Sequence, residues 1–194
     1  MAKAAMPTLP EGYKTKDGIA WGSREPGLLE ISYWNLKAKN ALTGNGQKPM
    51  ARVVQAAQDD KNVKVILVHG GLFYGAGNEL KLLTEIGRLE GEEKVNVASL
   101  GVEHNMQVCL RALLQSKKPI VGLVRGQAIG ISFTTTGLFD FLYCTPEAKF
   151  STPFMRSFQS PEGASTHTFV QHFGQRKANE ILLLDKPVTA QEAL

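Results

Sequence analysis

The feature that most constrains the fold is a stretch of strand, glycine turn and helix over residues 118–163. The apolar run Ile120–Val124 predicts a buried strand, Gly126 and Gly130 bracket a turn, and residues 131–138 predict a helix that begins at this turn. The first N–H groups of a helix have no acceptor within the helix, and the helix dipole favours negative charge at that end. The sequence therefore predicts a site for a negatively charged oxygen at the turn.

A single carboxylate, Glu162, follows this turn, between a proline and a glycine. One interpretation is structural, since a carboxylate at a helix N-terminus favours the dipole. The other is a general base whose pKa is raised towards neutrality by an apolar wall of Phe154, Met155, Phe158 and Phe169. Spacing alone leaves both open. An oxyanion site beside a lone carboxylate is what proton removal next to a carbonyl requires.

A second strand–glycine turn occurs at residues 68–80, after a strand predicted over residues 63–69. Neither turn has the Gly-Lys-Ser/Thr of a Walker loop or the G-x-G-x-x-G spacing of a dinucleotide site. Each alone is typical of a structural turn. Two such turns at corresponding strand ends can converge, and two backbone donors are the usual make-up of an oxyanion hole.

The order of elements predicts an α/β layered fold with parallel pairing, because strands alternate with helices. We expect residues 1–17 to be a flexible N-terminal segment and residues 18–194 to form one core domain. The other predicted strands cover residues 18–25, 28–34, 139–143 and 149–151, and the other predicted helices cover 49–58, 95–115, 163–173 and 176–184. A capping box at Thr189 predicts one more helix start.

Charge and composition exclude several classes of function. The net charge is +4, and the lysines and arginines are scattered along the sequence, so nucleic-acid binding is not predicted. The same mild positive charge is compatible with a phosphorylated small ligand. Cys109 and Cys144 lack metal-type spacing and are predicted to be reduced thiols in an intracellular protein. The four histidines share no ligand spacing, so we expect no metal site. No apolar segment approaches the ~20 residues of a membrane span.

From about residue 19 onwards the chain resembles the crotonase (enoyl-CoA hydratase/isomerase) superfamily. Residues 35–42 (NLKAKNAL) are similar to the family's loop that holds the adenine end of coenzyme A, residues 73–80 (FYGAGNEL) to its F-x-x-G-x-D-L turn, and residues 126–131 (GQAIGI) to its second turn. Glu79 stands where the aspartate is usual. The resemblance implies a crotonase-like ββα spiral (ClpP/crotonase fold), with the N–H groups of Asn78 and Ile131 as oxyanion donors. It implies substrate-binding positions at Lys37, Ala38, Ala41, Ala76, Gly77, Leu80, Gly130 and Phe154.

The resemblance also bears on the reaction. Family hydratases use two glutamates, and alignment on Gly130 places the first on Thr134 and the second on Glu162. Residues 152–163 are particularly similar to the peroxisomal and mitochondrial Δ3,Δ2-enoyl-CoA isomerases. This similarity implies isomerisation of 3-enoyl-CoA to trans-2-enoyl-CoA in fatty acid β-oxidation, with Glu162 as the only base and no cofactor beyond the coenzyme A of the substrate. It implies a peroxisomal or mitochondrial location.

Family members continue beyond the point where this sequence ends, with helices that cover the acyl site and build trimers. The resemblance therefore implies that the C-terminal helices are missing here and that a full-length member is a homotrimer. Two alternatives stay open. One is an enoyl-CoA hydratase or another CoA-thioester enzyme of the superfamily, and the other is a non-catalytic acyl-CoA-binding or interaction module.

Overall fold

The computed structural model describes residues 7–43, 45–79, 84, 88–92 and 104–193. The strands are β1 (Lys14–Lys16), β2 (Ile19–Gly22), β3 (Leu28–Tyr33), β4 (Val65–His69), β5 (Ile120–Val124), β6 (Gln127–Ile129), β7 (Phe141–Cys144), β8 (Lys149–Ser151) and β9 (Val188–Thr189). The α-helices are α1 (Gln47–Asp59), α2 (His104–Leu114), α3 (Ile131–Thr134), α4 (Ser165–Phe173) and α5 (Gln175–Leu183), and the 3₁₀ helices are Leu36–Ala38, Thr135–Leu138 and Gln191–Ala193.

Two sheets organise these elements. The larger has six strands in the order β1-β2-β3-β4-β5-β7, antiparallel from β1 to β3 and parallel from β3 to β7. The smaller has β8 between β6, which runs parallel to it, and β9, which runs antiparallel. Because β4 and β5 are parallel neighbours, their carboxyl ends and the turns that follow them lie at the same edge of the sheet.

The core lies between the larger sheet and the helices. Alternation along β3 points Ile31 and Tyr33 to the face that also carries Ile66 and Val68 of β4, and all four are buried. Helix α1 contributes buried residues to the same cluster, including Val54, and packs against α2. In the described part of the chain, no helix is both long and apolar enough to cross a bilayer.

A cluster of phenylalanines joins the second turn to the C-terminal part of the chain. The ring of Phe133 in α3 lies 4.6 Å from that of Phe169 in α4 and 5.0 Å from that of Phe150 in β8, between ring centroids. Phe169 also meets Phe173 edge-on at 5.4 Å. These contacts fix α4, and with it the Glu162 loop that precedes α4, against α3.

Most predicted elements are present, with shifted ends. The strands at Ile120–Val124 and Lys149–Ser151 are confirmed, and the helix predicted over residues 95–115 is seen from His104 to Leu114, its earlier part lying outside the described residues. The helix predicted over residues 131–138 is a single α-turn that continues as 3₁₀ helix from Thr135. The capping box is confirmed, since Glu192 Oε2 accepts from the Thr189 N–H at 3.0 Å.

Lys14–Lys16, which lie within the segment 1–17 that was predicted to be flexible, form a strand that pairs with β2. The two residues between these strands, Asp17 and Gly18, have φ of 48° and 80°. Two positive φ values are what a type I′ hairpin turn needs, and Asp-Gly is among the pairs that favour it. The sequence therefore carried a hairpin signal just before the predicted boundary.

Candidate active site

The two glycine turns meet at the carboxyl edge of the larger sheet. The Tyr74 N–H donates to the Arg125 carbonyl at 2.9 Å, and Gly75 exchanges hydrogen bonds with Gln127 and Ile129 at 3.0 and 2.9 Å. The turn after β4 is therefore joined to β6 as if it were a further short strand. The convergence of the turns that was predicted from the sequence is what the backbone shows.

Gly77 is the point of closest approach between the turns. Its φ of 81° is in the left-handed region, and a Cβ at this position would lie 2.8 Å from the Ile129 carbonyl oxygen. Its N–H donates to the Ser132 Oγ at 3.3 Å. Only a glycine satisfies both the backbone conformation and the contact, so Gly77 sets the spacing between the turns.

Neighbouring hydrogen bonds set the directions of the N–H groups of Asn78 and Ile131, the two predicted oxyanion donors. The Gly77 carbonyl accepts from the Leu42 N–H at 2.7 Å. Since a trans peptide places C=O and N–H on opposite sides, the Asn78 N–H points away from Leu42. The Gly130 carbonyl likewise accepts from the N–H groups of Phe133 and Thr134 in α3. The Ile131 N–H lies on the opposite side of the same peptide, so it points out of the N-terminal end of α3. The N–H of Ala76 is occupied, because it donates to the Lys39 carbonyl at 3.1 Å.

Glu162 lies against the last residue of α3. Its Oε1 accepts from the Thr134 hydroxyl at 3.3 Å, while its Oε2 is buried without a hydrogen-bond partner among the described residues. Gly163 packs so closely on Thr134 and Ile131 that a Cβ there would overlap the Thr134 hydroxyl. The residue after Glu162 therefore packs on the side chains of both Ile131 and Thr134, the first and last residues of α3.

The pKa of Glu162 is raised to about 7. Burial raises it, and the hydrogen bond from Thr134 offsets a smaller part of this rise. Loss of water penalises the ionised carboxylate, and no positive charge among the described residues offsets this penalty. A carboxyl that titrates near neutral pH can both take up and release a proton, which is the requirement for an acid–base group at that pH.

The prediction of an apolar wall around Glu162 fails at two of its four residues. Phe154 and Phe169 are buried, but Phe158 is 98% exposed and Met155 is 40% exposed. Phe158 has a φ of 55°, in the left-handed region, and its side chain lies in solvent. The prediction that Phe158 shields Glu162 is wrong, because sequence proximity does not fix side-chain direction in a loop.

The other predicted substrate-binding residues lie mainly in the loop that follows β3 and in the two turns. Lys37 is exposed and Ala38 partly exposed in a 3₁₀ helix, whereas Ala41 is buried next to the first turn. Ala76, Gly77 and Gly130 lie where the turns meet, and Phe154 belongs to the core. Leu80 lies outside the described residues.

Three polar residues, whose contacts sequence reasoning did not predict, hold this edge together. The buried Asn40 amide donates to the Gly70 and Phe73 carbonyls at 2.8 and 2.6 Å, which ties the 35–42 loop to the first turn. Ser132 accepts from Gly77, and Thr134 donates to Glu162. A positive φ of 59° at Asn40 is typical of asparagine, but its tertiary partners leave no signal in the sequence.

Comparison with known proteins bears on the family of the chain. A family model described as enoyl-CoA hydratase/isomerase matches residues 23–194. The chain is 35% identical over 171 residues to Enoyl-CoA delta isomerase 2 from Homo sapiens, covering 87% of this chain and 42% of that protein. It is 32% identical over 170 residues to Enoyl-CoA delta isomerase 3, peroxisomal, from Mus musculus, covering 87% and 52% respectively.

Among solved structures, a putative enoyl-CoA hydratase/isomerase from Acinetobacter baumannii superposes with a TM-score of 0.79 at 29% identity, covering 91% of this chain and 70% of that one. The chain spans less than half the length of Enoyl-CoA delta isomerase 2 from Homo sapiens.

Proposed function

Because the chain belongs to the enoyl-CoA hydratase/isomerase family, we propose that it isomerises 3-enoyl-CoA thioesters to trans-2-enoyl-CoA, with Glu162 as its single acid–base group. The observation that carries the proposal is the partner of that carboxylate. A hydroxyl, Thr134, contacts Glu162 where a second carboxylate would be needed to activate and add water. A lone group with a pKa of about 7 suits removal and return of one proton.

The proposed reaction begins with loss of a proton from C2 of the 3-enoyl thioester to the ionised Glu162. The electron pair of the C2–H bond forms the C2–C1 double bond of a dienolate, whose negative charge resides on the thioester oxygen. The N–H groups of Asn78 and Ile131 would hold that oxygen. Each such donor contributes on the order of 3 kcal/mol to the stability of the transition state.

The second step returns the proton to C4. The C3–C4 π pair takes the proton from Glu162, the C1–C2 pair becomes the C2–C3 double bond and the oxygen re-forms the carbonyl. Glu162 ends in its starting state, and the reaction needs no external oxidant or water. Thr134 supports both states of Glu162. Its hydroxyl can donate to the ionised carboxylate, or accept from the protonated one while donating to the Ile131 carbonyl at 3.4 Å.

The substrate class and location in this proposal rest on relatives. The 35–42 loop would hold the coenzyme A moiety through its backbone, near Lys37, Ala38 and Ala41. Because one relative is named a peroxisomal delta isomerase, we extend the proposal to fatty acid β-oxidation in the peroxisome or mitochondrial matrix. Assembly as a homotrimer remains part of the proposal for a longer family member.

The direct test is conversion of trans-3-hexenoyl-CoA to its 2-enoyl isomer by this 194-residue chain, followed by the absorbance of the conjugated thioester. We expect turnover, and much slower hydration of crotonyl-CoA by the same preparation. Hydration that equals or exceeds isomerisation would favour the hydratase alternative. Binding of acetyl-CoA without either reaction would favour a non-catalytic acyl-CoA-binding module.

The pH profile gives a second prediction. Glu162 must be ionised to accept the C2 proton, so kcat/KM should rise with pH through about 7 and level off above it. The hydrogen bond from Thr134 stabilises the ionised form, and Thr134→Val should therefore move this limb to higher pH. The measurement is kcat/KM between pH 5 and pH 9 for both proteins. A limb that does not move would show that Thr134 does not act on Glu162.

A further inference from the structure

A cleft separate from the candidate active site lies between the β1–β2 hairpin and the outer side of α1. Its volume is about 760 Å³, which is within the range of small-molecule sites. None of the residues that line it belongs to the two glycine turns or to the Glu162 loop. We call it the basic cleft, because Lys14, Lys16, Lys48 and Arg52 line it.

The floor of the basic cleft is apolar. Trp21 pairs with Ile31 across the sheet, and Leu29 lies two residues from Ile31, so both side chains point to the helix side of the sheet. From α1, Val53 and Ala57 face them one turn apart. Trp21 and Leu29 remain partly exposed, so the floor presents apolar surface that a ligand could cover.

The rim is cationic on both sides. Lys14 and Lys16 are two residues apart and lie on the same face of β1, and Lys48 and Arg52 lie one turn apart on α1. All four are exposed, and none has an ion-pair partner among the described residues. Two carboxylates, Asp17 and Asp60, also line the cleft. The lining therefore carries four cationic side chains against two carboxylates, a net positive charge over an apolar floor.

The shape of the basic cleft suits a chain rather than a compact ligand. It follows α1 from Lys48 to Asp60, a distance of about 18 Å at the rise of an α-helix. An extended apolar chain would lie along the floor, and an anionic end group would meet cations from either wall. Long cationic side chains can also cover such a chain with their methylene groups.

We propose that the basic cleft binds a single acyl chain that ends in an anion, at a site distinct from the one that contains Glu162. This chemistry has two sources, a free fatty acid with its carboxylate or an acyl-CoA with its phosphates. The inference does not depend on the proposed isomerase activity, because it uses none of the residues of that site.

Trp21 provides a direct reporter. The chain has two tryptophans, so Trp34→Phe leaves the residue on the cleft floor as the only one. We expect decanoate to change the fluorescence of this variant with saturation, and decanol, which has the same chain without charge, to bind much more weakly. A parallel titration with decanoyl-CoA shows whether the thioester uses the same cleft.

Charge reversal locates the binding. In the Trp34→Phe background, Lys14→Glu together with Arg52→Glu should weaken decanoate binding by about tenfold, since two attractions become repulsions. The matched control is Arg176→Glu on α5, an exposed arginine outside the cleft, which should leave binding unchanged. Calorimetric titration of the wild-type chain with decanoate checks that the Trp34 substitution has not created the site.

The possible results of these titrations distinguish a fatty acid site, an acyl-CoA site and the absence of a site. A saturable signal with decanoate that depends on Lys14 and Arg52 supports a fatty acid site, and the same dependence with decanoyl-CoA alone supports an acyl-CoA site. No saturable signal with either ligand would overturn the proposal. Equal binding of decanol, or a loss with Arg176→Glu as large as with the cleft variant, would overturn it too.

Discussion

Glu162→Gln is expected to lower kcat for isomerisation of trans-3-hexenoyl-CoA by about 10⁴-fold, the upper range for loss of a general acid–base group. Glutamine has nearly the same size and keeps an oxygen that can accept from Thr134, so the contact seen at 3.3 Å survives. Its amide cannot take up the C2 proton at neutral pH. The measurement is single-turnover and steady-state kinetics, which separate the chemical step from thioester binding.

The same substitution should stabilise the folded protein above neutral pH. The folded-state pKa of about 7 lies above the ordinary value of 4.5, so the folded chain holds its proton more tightly than the unfolded chain. The free energy of unfolding therefore falls as pH rises from 4.5 through 7. Removing the carboxylate should recover up to about 3 kcal/mol at pH 8 and nothing below pH 4, as judged by urea unfolding.

This stability effect makes the kinetic result interpretable. An inactive variant that is at least as stable as the wild type has lost a chemical group rather than its fold. Glu147→Gln is the matched control, because Glu147 is an exposed carboxylate outside the site and its removal should leave turnover unchanged. Near-normal isomerisation by Glu162→Gln would remove Glu162 from the mechanism, whatever its pKa.

The parts of the site that sequence could predict are those encoded by local pattern. The run Ile120–Val124 followed by Gly126 and Gly130 specifies strand and turn within a few residues, and both are present. Asn78 and Ile131 were assigned by resemblance, and their N–H directions follow from neighbouring hydrogen bonds. Gly126 and Gly130 both have a positive φ, which glycine adopts most readily, so the residue type itself marks the turn.

The parts that could not be predicted depend on tertiary contact. The strand Gln127–Ile129 lies inside what was predicted as a turn, because three residues show no periodicity and gain their partners from Gly75 and from β8. The hydroxyl of Thr134 meets Glu162 across 28 positions of sequence. For Phe158 the sequence predicted a contact that is absent. An aromatic residue close to a carboxylate in sequence suggests that it shields the carboxylate, but the side chain of Phe158 is exposed.

Gly77→Ala is expected to lower kcat/KM by about 10² to 10³-fold, the effect of losing one oxyanion donor. A Cβ at this position would lie 2.8 Å from the Ile129 carbonyl oxygen, which is backbone and cannot rotate away. The first turn must then move from the second, and the Asn78 N–H, which follows in the chain, moves with it. The alanine also occupies a φ of 81° that costs about 1 kcal/mol or more.

Gly71→Ala distinguishes these two causes. Gly71 lies on the same turn and has a φ of 67°, but a Cβ there would meet no atom within 4 Å. It should lose a similar amount of stability and keep its turnover, because it does not alter the distance between the turns. If the distance between the turns matters for the reaction, Gly77→Ala should lower kcat more than it weakens binding of a CoA thioester. Equal kinetics in the two alanine variants would mean that the closeness of the turns is a feature of the fold and contributes nothing to an oxyanion site.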